Sequence, residues 1–367
     1  MPVLPGLVAA VAVMLAGFTL ADLMGQAMLA GRGLSGASPV SGVPVAIVLG
    51  LLLRNLLTLP ATLGPGLKFC TTTLLRLGIV LVGIKLSMVE MARLGLAGLP
   101  VVLVAIATGL VFVTWFNRLL GLPPRLGTLI AAGTSICGVT AIVSTAPAIE
   151  ADERDVGYAV ANVVAFGLCG MLVYPYVAHA LLPGSAAIGL FLGTAIHDTS
   201  QVVGAALTYR QIYDDDAVLR VATVTKLTRN LFLAVVIPLL TWMHARDRAV
   251  GGRARVTNWR TLVPSFVLGF VAMAIVRSIA DAMLGRGQPA LGVWDADGWK
   301  AMTSFIGDTV GARWLLGTAM AAVGLNTGFA VFRGVGLKPF AVGMAGALVV
   351  GGVGFVMALL LGRFVTL

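Results

Sequence analysis

Charge is what this sequence has least of: Asp, Glu, Lys and Arg make up 11% of 367 residues, against 59% apolar residues and a mean hydropathy of +1.00. A soluble domain carries about a quarter charged residues, so the composition excludes both an ordinary soluble enzyme and a disordered chain. Cysteine is scarce too. Cys70, Cys137 and Cys169 are odd in number and sit in apolar stretches, which excludes a disulfide framework and a cysteine zinc site. The three histidines, His179, His197 and His244, are too scattered to suggest metal chemistry, so no metal and no cofactor is expected. No Gly-x4-Gly-Lys-Ser/Thr string is present, which argues against an ATP motor. Met1 to Gly6 has no basic residue, and the apolar run behind it is too long for a cleaved leader, so the first run reads as a retained span.

Long apolar runs are abundant. A bilayer core about 30 Å thick takes roughly 20 residues of helix. Eleven runs of that size lie between charged or Gly/Pro-rich breaks, at about 7–30, 42–60, 67–89, 95–117, 126–149, 156–182, 186–210, 217–243, 262–284, 300–326 and 337–362. The connections are short, and the longest, 244–261, is too small to fold alone. The expectation is an all-α polytopic membrane protein of about eleven transmembrane helices, with residues 1–367 forming one integral membrane domain.

The net charge is +10, a surplus that in a soluble protein would suggest nucleic acid or another acidic partner. Its position says otherwise. Sorted onto alternate loops, eleven bases (Arg54, Lys68, Arg118, Arg125, the five arginines of 246–260, Arg333 and Lys338) face a single acid, Asp247. The other loops hold eight bases against eleven acids, among them the runs Glu150 to Asp155 and Asp214 to Asp216. The positive-inside rule then puts the N-terminus in the cytoplasm and the C-terminus outside. The Arg-rich loop reads as a topology anchor and the acidic runs as solvated turns.

Nine charges remain inside the spans: Arg76, Lys85, Lys226, Arg229, Arg277 and Arg313 against Asp22, Asp198 and Asp308. Each costs about 2.5 to 3.5 kcal/mol at mid-membrane on insertion scales, so each needs a partner, water or a function. Arg76, Arg277 and Lys85 can snorkel toward an interface. Lys226 and Arg229, in Val224-Thr-Lys-Leu-Thr-Arg-Asn230, fall near mid-span, and the i, i+3, i+4 spacing puts Lys226, Arg229 and Asn230 on one helix face. That face either pairs with Asp198 and Asp308 as an ion network or lines an anion site.

Two spans are interrupted. Gly133-Thr-Ser-Ile-Cys-Gly138 breaks the fifth and Gly193-Thr-Ala-Ile-His-Asp-Thr-Ser-Gln-Val202 the seventh. Irregular backbone at membrane depth survives only where protein or a water-filled cavity covers it. Asp198 to Gln201 has the capping-box pattern, so a helix is expected to restart there with free N–H groups at mid-membrane. Small polar residues also serve close helix packing, and Cys137 alone reads as a small buried apolar residue. The two strings resemble each other at an offset of 60, and a fainter pair, Val82-Gly-Ile-Lys85 and Val323-Gly-Leu-Asn326, recurs at an offset of 241. In an eleven-span count the second pair runs antiparallel, as an inverted repeat requires, and the first runs parallel. Either one pair is chance or a span is re-entrant. Gly324-Leu-Asn-Thr-Gly328 is a third candidate break, in which Asn326 alternatively serves as a helix C-cap.

These motifs, with Ala161-Asn162-Val163, closely resemble the bacterial YeiH-type membrane protein family, uncharacterised family 0324, which is named for sulfate export. The match covers essentially the whole chain, and the His-Asp-Thr-Ser-Gln and Lys-Leu-Thr-Arg-Asn strings are its most specific parts. The resemblance extends to the cation/proton antiporter and bile-acid symporter group. It implies inverted repeats, here about 1–150 and 186–367, a panel domain, and a core domain whose discontinuous helices cross at mid-membrane. It also implies a multi-pass location in the bacterial inner membrane and the possibility of a homodimer.

The leading functional expectation is a secondary active transporter, an exporter of a small anion such as sulfate or a sulfonate, with no enzymatic activity. The expected substrate-binding residues are Thr134, Ser135, Cys137, Gly138, His197, Asp198, Thr199, Ser200, Gln201, Lys226, Arg229, Asn230 and Asn326. His197, Asp198 and Asp308 are the proton-coupling candidates. The partners expected are the anion and the lipid bilayer, with no nucleic acid. An anion channel is the competing reading, followed by a membrane-embedded enzyme, for which a Cys137 and His197 pair lacks a third group.

Overall fold

Near-continuous apolar sequence gives helices throughout. The computed structural model describes residues 2–30, 40–247, 265–329 and 336–365; the arginines at 32, 248, 253, 255, 260 and 333 lie outside them. The helices are α1 (Leu4–Ala30), α2 (Gly42–Leu56), α3 (Gly64–Phe69), α4 (Leu75–Val82), α5 (Met88–Leu119), α6 (Pro124–Ser135), α7 (Val139–Thr145), α8 (Glu153–Leu181), α9 (Gly184–Ala195), α10 (Thr199–Tyr213), α11 (Asp216–Leu231), α12 (Leu233–Asp247), α13 (Ser265–Gly285), α14 (Ala296–Ser304), α15 (Gly317–Asn326) and α16 (Leu337–Leu361). A π-helical turn, Cys70–Leu74, joins α3 to α4, and a longer one, Phe305–Leu316, joins α14 to α15. Among the described residues seven helical stretches are long and apolar enough to cross a bilayer, and shorter apolar helices accompany them, so this is an all-α, polytopic membrane protein.

The chain divides into two interleaved compact units. One comprises Met1–Ala92, Leu207–Asp216 and Ser265–Phe329; the other comprises Arg93–Ala206, Ala217–Pro264 and Ala330–Leu367.

In the first unit α1, α2 and α15 pack through small residues. Gly17 lies against Ala46, Gly50 against Ala321, and Gly324 against the Ile47 carbonyl. Such contacts let backbones approach closely where lipid tails offer no hydrophobic drive for helix association. Three of the charges that the sequence leaves inside the membrane, Lys85, Arg277 and Asp308, find partners here. Arg277 donates to Asp281 at 2.7 Å and to Thr303 at 3.0 Å, while Asp281 also accepts from Trp299 at 3.0 Å. Asp308 holds Lys85 and Arg210, each at 2.8 Å. Arg210 also pairs with Asp216, which lies 3.7 Å from Lys85 and closes a ring of four alternating charges. Asp216 and Asp281, read from sequence as loop acids, therefore serve as internal counter-ions.

In the second unit the fifth and seventh expected spans do not cross; each turns back. Arg125, at the entry to α6, lines one cavity with Asp152 and Asp155, which follow α7. Gly133 of α6 packs against both Ile142 of α7 and Val163 of α8. The twelve residues of α6 and the ten of Val139–Ala148 would reach about 18 and 15 Å, so each limb goes roughly half-way in. The second hairpin follows from helix direction. Gly189 and Gly193 of α9 pack on Val221 and Thr225 of α11, so α9 and α11 run parallel. Only residues 214 and 215 separate α10 from α11, a connection too short for anything but a direct reversal, so α10 runs against α11 and hence against α9. Between the hairpins runs α8, whose 29 residues span about 43 Å, so they enter from opposite ends.

This reversal bears on the sequence resemblance at offset 60. The two strings lie at the tips of oppositely directed hairpins and run antiparallel, where an uninterrupted span count makes them parallel. Neither internal pair then has to be dismissed as chance.

Candidate functional site

The hairpin tips meet inside the second unit. Incoming limbs α6 and α9 end at Ser135 and Ala195, and outgoing limbs α7 and α10 begin at Val139 and Thr199. Gly138, at φ +70° and ψ −132°, makes the first reversal. Its N–H bonds the Gly133 carbonyl at 3.0 Å, which leaves the carbonyls of Thr134, Ser135 and Ile136 beyond the reach of their own helix. The second tip likewise strands those of Thr194, Ile196 and His197.

Lys226 and Arg229 of α11 take up all six. Lys226 donates to Ile136 O at 3.0 Å, Ile196 O at 3.1 Å and His197 O. Arg229 donates to Ser135 O at 2.6 Å, Thr194 O at 2.5 Å, Thr134 O, and more weakly to Ile196 O at 3.4 Å. The pattern follows the repeat: Thr134 and Thr194 correspond at offset 60 and share Arg229, while Ile136 and Ile196 correspond and share Lys226. Both side chains are fully buried, at 1% and 0% exposure.

Among the described residues neither base makes an ion pair with Asp198 or Asp308, and three carbonyls take up the three Lys226 N–H groups. Each base replaces the missing next turn of two helices and brings positive charge to their negative ends.

Asp198 is the N-cap of α10. Its Oδ1 accepts from Ser200 N at 2.9 Å and from the Ser200 hydroxyl, and its own N–H bonds Gln201 Oε1 at 3.2 Å, completing the expected capping box. Gln201 also donates to Val164 O at 3.3 Å. Asp198, Thr199 and Ser200 are partly accessible, whereas Thr134, Ser135, Cys137, Gly138, His197 and Gln201 are buried. Asn230 donates to Thr199 Oγ1 at 3.1 Å and keeps a buried, unpartnered Oδ1. His197 Nδ1 and Ser135 Oγ are likewise buried with no partner. Cys137 packs with Ile136, Ala141, Leu233 and Ile237 as an apolar residue.

Twelve of the thirteen candidate binding residues thus surround the tips. Asn326 is the last residue of α15 and is exposed; with Thr327 N–H bonded to Gly324 O at 3.1 Å, it ends a helix in the first unit. Asp308 belongs to that unit as well, in the ion ring. Sequence reading missed Gly167, where an added Cβ would collide with the Gln201 amide.

A family model described as conserved hypothetical protein 698 matches residues 5–343. A UPF0324 membrane protein of Bordetella bronchiseptica is 35% identical over 324 residues, covering 86% of this chain and 93% of its own length. A UPF0324 membrane protein of Agrobacterium fabrum is 34% identical over 286 residues, covering 77% and 78%, and one of Streptococcus pneumoniae is 34% identical over 239 residues, covering 65% and 70%. No solved structure matches the chain. The protein is thus a member of the UPF0324 family of membrane proteins.

Proposed function

We propose that the protein is a secondary active transporter that exports a small anion, sulfate or a sulfonate, by alternating access at the paired hairpin tips. The observation that carries this reading is the charge balance of the tips. Lys226 and Arg229 neutralise the carbonyl ends of α6 and α9, and among the described residues Asp198 is the acid at the tips that opposes them. The accessible start of α10, with the hydroxyls of Thr199 and Ser200, is the surface on which an anion meets that positive excess.

In this reading the bases act through their field and the α10 first turn makes the contacts. The Asp198 carboxylate already occupies N–H and hydroxyl groups that a bound anion would use, so its protonation and anion binding favour each other. Coupling in this reading rests with Asp198 and the buried imidazole of His197. Two hairpins remove two crossings, so the chain keeps an odd number, with the N-terminus in the cytoplasm and the C-terminus outside in the bacterial inner membrane. Moving 150–155 to the cytoplasmic side still leaves twelve bases there against seven outside.

The test is uptake of radiolabelled sulfate and sulfonates into proteoliposomes, with and without a pH gradient. Saturable uptake with counter-flow supports the transporter; linear flux without counter-flow supports a channel, and no flux of any anion removes the reading.

A further inference from the structure

The roots of the first hairpin frame a cavity of about 890 Å³ that the tips do not use. Pro123, Pro124 and Leu126 line it where α6 begins, Asp155 and Tyr158 where α8 begins, and Leu337 and Pro339 where α16 begins. Three bases reach its rim: Arg125, Arg154 and Lys338. None of them has a carboxylate within ion-pair distance among the described residues. Arg154 donates to the Tyr158 hydroxyl at 2.9 Å and lies over its ring, and Lys338 donates to Leu120 O at 3.3 Å.

Asp152 precedes α8 without a side-chain capping bond, and Asp155 lies in the first turn of α8, where negative charge complements the helix dipole, so two acids share the rim with the three bases. Three bases against two acids leave the rim one net positive charge above a largely apolar wall, and Arg154 and Lys338 each hold only a neutral acceptor. Phe112, Trp115 and Phe116 cluster in the last turns of α5, with Trp115 exposed, and such aromatic belts mark the level of lipid headgroups. A basic rim at that level over an apolar cleft is complementary to one anionic headgroup with its acyl chain.

We propose that this cleft binds an anionic phospholipid, its phosphate held by Arg125, Arg154 and Lys338 and its chain lying along Leu126, Leu337 and Pro339. Because the cleft joins the start of α6 to the starts of α8 and α16, a bound lipid braces the hairpin at its base. Nothing in this depends on what the tips carry.

The test is thermal unfolding and native mass spectrometry of the detergent-purified protein, titrated with phosphatidylglycerol, phosphatidylcholine or inorganic phosphate. Phosphatidylglycerol is expected to raise Tm with concentration and to remain bound, with the other two inert. The double substitution Arg125→Gln with Lys338→Gln should weaken phosphatidylglycerol binding roughly 30-fold, and Arg363→Gln, at the far end of α16, should leave it unchanged. An equal response to phosphatidylcholine, or an undiminished response in the double variant, overturns the proposal. A full response to inorganic phosphate makes the site a free-anion site and overturns it as well. Failure of anion transport at the tips would leave these readouts untouched.

Discussion

Gly138 and Asp198 pack tip to tip: a Cβ built on Gly138 would lie 2.8 Å from Asp198 Oδ2 and 3.0 Å from its Cα. The two hairpins therefore meet through the absence of a side chain, at a backbone conformation that favours glycine on its own account.

Gly138→Ala is expected to cost about 1 to 3 kcal/mol from backbone strain alone, and to abolish any flux that depends on the tips. Gly157→Ala, on α8 with open space around it, should be neutral or mildly stabilising. Thermal unfolding in one detergent compares the two.

Lys226→Met and Arg229→Met each strand several buried carbonyls of both hairpins. Losses of about 3 to 5 kcal/mol are expected, seen as a lower Tm and poor recovery from the membrane. A Lys226→Met protein of unchanged Tm that had lost saturable anion binding would make Lys226 a ligand instead.

Asp198→Asn keeps an oxygen for the Ser200 N–H, while Asp198→Ala removes the cap at about 1 kcal/mol. Both should lose the dependence of transport on a pH gradient, and only the alanine variant should also unfold earlier. Asp198→Asn transport that still follows the gradient would move the coupling group elsewhere.

Hairpin topology is tested with single cysteines in a cysteine-free background. Pro123→Cys and Asp152→Cys should react with an impermeant maleimide from one side of the membrane, and Ser185→Cys and Asp215→Cys from the other. Labelling of the first two from opposite sides would mean that α6 and α7 cross.

For the ion ring, Lys85→Met, Asp308→Asn and the double variant should be non-additive by about 0.5 to 3 kcal/mol. The coupling should shrink as salt is raised, because all four side chains retain some solvent exposure.

The sequence resolves the depth of a segment better than its direction. Apolar runs locate all eleven helical segments, and the polar strings at 133–138 and 197–201 locate both breaks. The Asp198 to Gln201 capping box is read correctly because it is local. Whether a broken helix continues or turns back leaves the hydropathy of each half unchanged, so 126–149 and 186–210 read as crossings. A signal was present: halves of ten to fifteen residues on either side of each break cannot cross singly, and the matching tips flank one uninterrupted 29-residue helix. The face carrying Lys226, Arg229 and Asn230 is legible from spacing. Its acceptors are not, because carbonyls from the two hairpins carry no sequence mark.

The Lys226 and Arg229 clasp also orders events during synthesis. Thr134 O and Ile136 O lie 95 and 90 residues ahead of the side chains that satisfy them. When α6 and α7 have left the ribosome, α11 does not yet exist, and those carbonyls must be held by water or by other protein. The first hairpin therefore reaches its final depth only after α8, the second hairpin and α11 have followed. A chain truncated before Lys226 is expected to leave residues 133–138 open to proteolysis, and one extended past Arg229 to protect them.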